Sequence, residues 1–466
     1  MNKISFFILS LGTLWGGCTL MPKYERPAAP VTKSWPNGSA GTNATNTTAA
    51  DIDWKEFFDD PRLQNLIKLA LENNRDLRVA ALRVEQARAQ YRIQRAELFP
   101  AVQGDASLVR QKFSGAVTAF KGGSVITTYT VEVGAAYEAD LFGRVRSLKT
   151  EALEKYFASD EARKSAQIAL VSEVATEYLT QLRLREAKAI AHQTLEAVQS
   201  SYNLIKRSFE AGAASELDLR TAEGQIQTAR VSAANFLQLL AESENALVLL
   251  VGQPLPTDLP SGKTFQQQQL LTDLAAEVPS EVLQRRPDIL AAEHTLKAAN
   301  ADIGAARAAF FPRIMLTGSA GTASAKLTDL FTGPSAAWSY SPQITIPIFD
   351  VGGTRSKLDV SKIGQKIEVA NYEKAIQTAF REVADALAIR SILDEKLKAQ
   401  KLLLNAQQKR FDLTNARYRQ GVDNYVDVLL AQQDLYAAQQ NLLQFQAERL
   451  LNAVTLYRSL GGGWKS

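Results

Sequence analysis

The chain is poor in the residues that most chemistry needs. One cysteine among 466 residues excludes an internal disulfide. The two histidines, His192 and His294, have neither a cysteine partner nor the i,i+4 histidine spacing of a zinc helix. Gly122-Gly123 and Gly352-Gly353 lack the Gly-Lys-Ser/Thr that completes a phosphate loop, and read as turns. No catalytic constellation is present, so an enzyme is not expected. Nor is there an excess of charge. The 53 basic and 49 acidic residues leave +4, too balanced for a nucleic-acid binder. Proline is absent from Arg144 to Ala211 and again from Gly353 to Gln420, two stretches of 68 residues.

The apolar run Ile4 to Trp15, preceded by Lys3, is too short for a transmembrane helix and reads as the core of a secretory signal over residues 1–17. Gly16-Gly17 then precede Cys18. A small residue before a lone cysteine, directly after the apolar core, is the layout of a bacterial lipoprotein signal, with Trp15 standing where leucine is usual. Otherwise Cys18 is part of the signal and is discarded with it. Acylation, as S-diacylglycerol and N-palmitoyl groups on Cys18, would hold the mature N-terminus in a membrane. Thr19 rather than aspartate after the cysteine points to the outer membrane. Residues 18–61 read as a linker, with Pro22, Pro27 and Pro30 and then a Gly/Ser/Asn/Thr run.

The second half of the chain repeats the first. Leu98-Phe99-Pro100 recurs 212 residues later as Phe310-Phe311-Pro312, and Asn74-Arg75-Asp76-Leu77 as Arg286-Pro287-Asp288-Ile289. Phe209-Glu210-Ala211-Gly212 returns 209 residues on as Tyr418-Arg419-Gln420-Gly421. One supersecondary unit is thus used twice, over 62–251 and 281–461, with a connector at 252–280 and a tail at 462–466. Each unit reads as a helix (Arg62 to Leu98 in the first), a β-hairpin (101–141; 313–349), and two long helices (144–211 and 215–250; 353–420 and 423–460). The fold class is α+β, internally duplicated.

Period-two alternation marks the strands. Val102, Gly104, Ala106 and Leu108 share one face, as do Tyr129, Val131, Val133, Ala135, Tyr137, Ala139 and Leu141. In the second repeat Ile314, Leu316, Gly318 and Ala320 match them, with Trp338, Tyr340, Pro342, Ile344, Ile346 and Ile348. Roughly 9 to 11 alternating residues suit a strand crossing a bilayer, one face in lipid and the other in a wet lumen. Tyr129, Trp338 and Tyr340, near the expected strand ends, suit an aromatic girdle. A soluble antiparallel sheet with one buried face carries the same pattern, and the lipoprotein signal favours the membrane.

The long helices would be on the order of 100 Å each. Leu195, Val198, Tyr202, Ile205 and Phe209 follow 3-4-3-4 spacing, and Leu397, Leu404, Phe411 and Tyr418 recur every seven, as in coiled-coil seams. Gly212 and Gly421 stop each long helix before a shorter neighbour. Two hairpins give four strands, too few to enclose a lumen and with two bare edges that lipid does not tolerate. Other copies must close them, with eight strands from two chains in all or twelve from three. Ala431, Ala437 and Ala438 allow close helix approach.

The chain resembles the TolC family of outer-membrane efflux channels, in its lipoprotein (NodT-like) branch. Cys18 with Pro22-x-Tyr24-x-Arg26-Pro27-x-x-Pro30, Arg285-Arg286-Pro287-Asp288-Ile289, and Tyr418-Arg419-Gln420-Gly421 continuing to Asp427 and Leu430-Ala431-Gln432 carry the likeness. It implies a homotrimer: a twelve-strand transmembrane β-barrel, a long α-helical barrel in the periplasm, and a mixed equatorial domain. Such channels are exit ducts for inner-membrane pumps joined by a periplasmic adaptor, which the turns at Gly212 and Gly421 would meet. The likeness also implies an acidic constriction after the second-repeat glycine. Asp427 matches one such position, and Leu430 replaces the aspartate usual at the next, adding an apolar ring. Asp218, the first-repeat counterpart of Asp427, is expected to join a network with Tyr418 and Asp423. A lipid-anchored periplasmic coiled-coil spacer without a pore is the competing reading.

Overall fold

In a computed structural model of the protein, residues 19–32, 34–35, 51–114, 124–270 and 280–464 are described. The signal 1–17, Cys18, linker residues 36–50, Gly122-Gly123, connector residues 271–279 and the last two residues of the tail lie outside them. The first half of the chain contains α1 (Trp54–Phe57), α2 (Pro61–Asn73), α3 (Arg75–Ala96), β1 (Ala101–Phe113), β2 (Ser124–Glu138), α4 (Arg144–Glu210) and α5 (Glu216–Val251). The second contains α6 (Pro287–Ala308), β3 (Arg313–Ser324), β4 (Ala336–Thr345), α7 (Gly353–Arg419) and α8 (Tyr425–Ser459).

The single helix expected from Arg62 to Leu98 is divided at Asn74. That residue has extended backbone, φ −61° and ψ 133°, and its N–H closes α2 on the Ala70 carbonyl. Its Oδ1 accepts the Leu77 N–H at 2.9 Å, capping α3. Its Nδ2 donates to the Leu250 carbonyl at 2.8 Å, tying the junction to the end of α5. The strands also differ from expectation in extent. β1 continues past Val109 to Phe113, and β2 begins at Ser124 rather than Tyr129. Tyr129 and Tyr340 therefore lie well inside their strands, while Trp338 stands near the start of β4 as expected.

All four strands pair in one antiparallel sheet in the order β1-β2-β3-β4, so the central pairing of β2 with β3 joins the two hairpins. β1 and β4 each pair on one side only among the described residues. The chain divides into two compact units. One comprises the described residues of 1–28 together with 83–160 and 291–373, and holds the sheet. Within it the N-terminal segment lies along α6. Arg307 donates to the Leu20 carbonyl (3.1 Å), Asn300 to the Pro22 carbonyl (2.8 Å), and Arg26 forms a two-bond ion pair with Glu293 (3.0 and 2.6 Å). The Tyr24 hydroxyl also donates to Glu293, whose side chain is 3% exposed. Burial would raise the Glu293 carboxyl, but Arg26 and Lys297 outweigh it and hold it below its ordinary range.

The other unit comprises the described residues of 29–82, 161–290 and 374–466. Asp60 is its fully buried hub. The carboxylate caps α2 by accepting from Arg62 N and Leu63 N, and also accepts from the Tyr178 hydroxyl, Lys263 N and Gln268 Nε2. A carboxylate removed from water is tolerable only with this many donors. Leu63, Leu66, Ile67 and Ala70 form the buried stripe of α2, at helical spacing. Arg286, beside Pro287 at the start of α6, binds Asp288, Glu382 of α7 and the Ser459 carbonyl of α8, which accounts for the motif around it.

Candidate functional site

Two parts of the chain hold the candidate residues, the sheet and the turns that end the long helices. The register decides what the sheet can do. Gly104 opposes Val133, Val133 opposes Ala320, and Ala320 opposes Trp338. The next row of that face reads Val102, Ala135, Gly318 and Tyr340. Opposed residues share a face, so the apolar alternations of four separate strands fall on one surface, from the Ile314–Ile344 row to the Leu108–Tyr129–Ser324 row. Ten residue steps of β3 span about 34 Å, and a tilt of 35–45° leaves a band about 25 Å tall, that of a transmembrane barrel. Much of this band is open, with Trp338 81% exposed and Tyr340 65%, and Phe331 lies beside its Gly104–Val133–Ala320 row. The opposite face carries Gln103, Asp105, Thr130, Glu132, Thr317, Ser319, Ser339, Ser341 and Gln343, with Ser319 and Ser339 hydrogen-bonded at 3.0 Å. At the end of the sheet nearest α4, Glu138 receives Arg144 and Arg313 together.

The two long helices end in the same way. Gly212 and Gly421 both have φ 74°, and the space where a side chain would stand is open at both, so glycine is required by conformation and not by crowding. The Ala213 N–H bonds the Ser208 carbonyl, and the Val422 N–H bonds the Arg417 carbonyl, as in a Schellman stop. Each following helix is then capped. Ser215 and Asp218 form a reciprocal capping box on α5. On α8, Asn424 accepts the Asp427 N–H at 3.0 Å.

These caps separate the two equivalent acids. Asp218 spends its carboxylate on Ser215, whose hydroxyl lies at 2.6 Å. The Asp427 carboxylate is exposed and has no hydrogen-bond or ion-pair partner among the described residues. Leu430, one turn along α8, is 48% exposed. Asp423 sits apart from both, gripped by Arg417 through two bonds of 2.8 Å. That guanidinium holds the Asp423 carboxyl below its ordinary range.

Tyr418 points into the packing beneath the turn, against Ile205, Ala222, Tyr425, Val428 and Leu429. Its ring centroid lies 5.6 Å from that of Tyr425. Burial, and then the nearby Asp218 charge, push its hydroxyl pKa up. Burial takes the Tyr425 hydroxyl to about 12. The seam residues Val198, Ile205 and Leu397 are buried, while Phe209 is 38% exposed at the helix end. Two residues of this region escape a reading of the sequence. Arg417 is found only through its grip on Asp423, and Val426, 39% exposed, lies one turn before Leu430 on the same side of α8. The signal for the first was opposite charges flanking a glycine.

The histidines stand apart from this region. His192 faces Glu196 on the surface, and His294 bonds Glu154 at 2.6 Å against the ring of Phe157. Among the described residues no cluster could hold a metal ion, and no helix is long and apolar enough to cross a membrane.

A family profile described as outer membrane efflux protein matches residues 66–253 and again 278–462. The chain is similar to the toluene efflux pump outer membrane protein TtgC of Pseudomonas putida, 47% identical over 467 residues that cover 100% of this chain and 96% of that one. It is similar to the outer membrane protein OprJ of Pseudomonas aeruginosa at 44% identity, covering 100% and 97%. Its fold matches the open state of the MtrE outer membrane channel of Neisseria gonorrhoeae with a TM-score of 0.86 and 39% identity, over 96% of this chain and 99% of that one. A profile found twice, over most of both halves, and relatives aligned over almost their full lengths establish that the chain belongs to the outer membrane efflux protein family.

Proposed function

We propose that the chain is the passive exit duct of a tripartite efflux system. Three copies would close into a twelve-strand barrel in the outer membrane, joined by a periplasmic adaptor to an inner-membrane pump. The observation that carries this reading is the register of the sheet: one largely open apolar face, one polar face and two edges unpaired among the described residues. Four strands cannot close around a lumen, and open edges are not tolerated in lipid. Similarity to a protein named for toluene efflux suggests small organic molecules as the cargo class.

Asp427 and Leu430 of three copies would form the periplasmic constriction. The free carboxylate of Asp427 would favour cations, and the Leu430 ring would narrow and dewet the passage. Tyr418 would support it from the helix packing, Asp218 from the cap of α5, and Asp423 from the turn. The lipid groups proposed for Cys18 fit the course of the N-terminal segment. Leu20 is held beside the C-terminal end of α6, from which the chain passes to β3. A lipid on Cys18 would thus enter the membrane that the strands cross. A lipid-anchored spacer leaves the apolar face of four strands without a role.

Native mass spectrometry of the detergent-extracted protein tests the assembly. Three chains are expected, and a stable monomer would overturn the closed barrel.

A further inference from the structure

The apolar face of the sheet ends at a definite row. Leu108 opposes Tyr129, and Ser324 completes that row on β3. One row further Arg110 opposes Thr127, and one beyond that Lys112 opposes Val125. The ladder runs without interruption from Ala101–Ala136 to Phe113–Ser124, so period two places both cations on the face of Leu108 and not on that of Gln111. This is the end of the sheet away from the helices, since β1 follows α3 at Ala101 and β2 leads to α4 from Glu138.

Both side chains are exposed, and neither has an ion-pair or hydrogen-bond partner among the described residues. The opposite end of the sheet differs. There Arg144 and Arg313 are both ion-paired with Glu138. Two unpaired cations just past an apolar band, beyond a tyrosine row, stand where hydrocarbon gives way to head groups. In an outer membrane the leaflet at that end is a phosphorylated glycolipid. Arginine matches a phosphate with a planar fork, and lysine with a compact charge.

We propose that Arg110 and Lys112 bind the phosphates of lipid A in the outer leaflet around the barrel. The inference rests on the reading of the apolar face as lipid-facing. It adds a ligand class and two residues that the duct function does not require.

The test uses the full-length protein in nanodiscs containing bis-phosphorylated lipid A, dephosphorylated lipid A or phosphatidylglycerol, with retained lipid counted by native mass spectrometry. Phosphorylated lipid A should be retained about tenfold more than the dephosphorylated form, and R110Q/K112Q should lose that preference, as two cations beside an anionic surface imply. The charge-preserving R110K/K112R should keep most of it. Equal retention of the two lipid A forms by the unaltered protein would overturn the proposal, whether or not the variant assembles. So would a double variant that binds like the unaltered protein, or equal retention of phosphatidylglycerol. A protein that conducts as a trimer but shows no phosphate preference refutes this inference and leaves the duct intact, whereas failure to form a conducting oligomer refutes the duct itself.

Discussion

Arg417 grips Asp423 across the Gly421 turn with two parallel hydrogen bonds, Nε to Oδ2 and Nη2 to Oδ1, each 2.8 Å long. The grip links the last turn of α7 to the residue just before the cap of α8. The first repeat has no counterpart, because Ser208 and Ala214 stand at the equivalent places. Of two turns with the same backbone stop, only the second is latched by charge. Since the second turn precedes Asp427 and Leu430, a latch there can control the constriction while the first turn stays fixed.

The latch has a defined dependence on pH. The Asp423 carboxyl is depressed in the folded protein, so its contribution is present above the free carboxylate value of about 3.9 and is lost as pH falls through the lower value of the paired group. The pair lies at the surface, and salt should weaken it. In bilayer recordings Asp423→Asn should raise the open probability at neutral pH. The unaltered protein should approach that behaviour as pH falls through the lowered value of Asp423. An Asp423→Asn channel indistinguishable at neutral pH would show that the pair does not restrain the turn.

Asp427 and Leu430 should separate in their effects. Asp427→Ala removes the unpartnered carboxylate and should reduce cation selectivity and divalent block, with little change in stability. Leu430→Ser should raise the open probability with selectivity retained. Reversal-potential measurements under a salt gradient distinguish the two. Unchanged selectivity in Asp427→Ala would place the constriction elsewhere, with Val426 and the Arg417–Asp423 turn the next positions to examine.

Ile205 is 1% exposed at the centre of the cluster that holds α4 against the start of α8. Ile205→Ala should cost about 2–4 kcal/mol locally, from lost burial and the cavity left behind. Hydrogen exchange should speed up across residues 202–222 and 418–430 and leave the strands unaffected. Uniform acceleration over the whole chain would show that the cluster is not a local unit.

Mass spectrometry of the mature N-terminus should find Cys18 carrying diacylglycerol and palmitate. An unmodified terminus at another residue would end the lipoprotein assignment. Because the strands themselves hold the protein in the membrane, Cys18→Ser should still permit some assembly where the signal is cleaved at another site.

The faces of the strands were legible from the residues alone. Period-two alternation names the face of each residue before any partner is known, and antiparallel pairing can only stack like faces. Strand lengths were not, because Arg110 and Lys112 break the apolar alternation while the backbone ladder continues beneath them. The glycine stops were legible since left-handed backbone selects glycine. The division at Asn74 was hidden, for an asparagine inside a polar helical run looks ordinary until its side chain meets the Leu250 carbonyl, 176 residues away. At the helix turns, the resemblance named Asp427 and Leu430, but only the geometry shows that Asp218 is consumed by its own cap while Asp427 is free. Arg417 required the fold, because its partner lies on the far side of a turn.

Planar-bilayer recording of the purified protein tests the central claim most directly. Discrete, long-lived conductance steps are expected, small in the unaltered protein and larger in Arg417→Ala, whose latch is gone. A correctly folded protein that inserts into the bilayer and passes no current in either form would contradict the account.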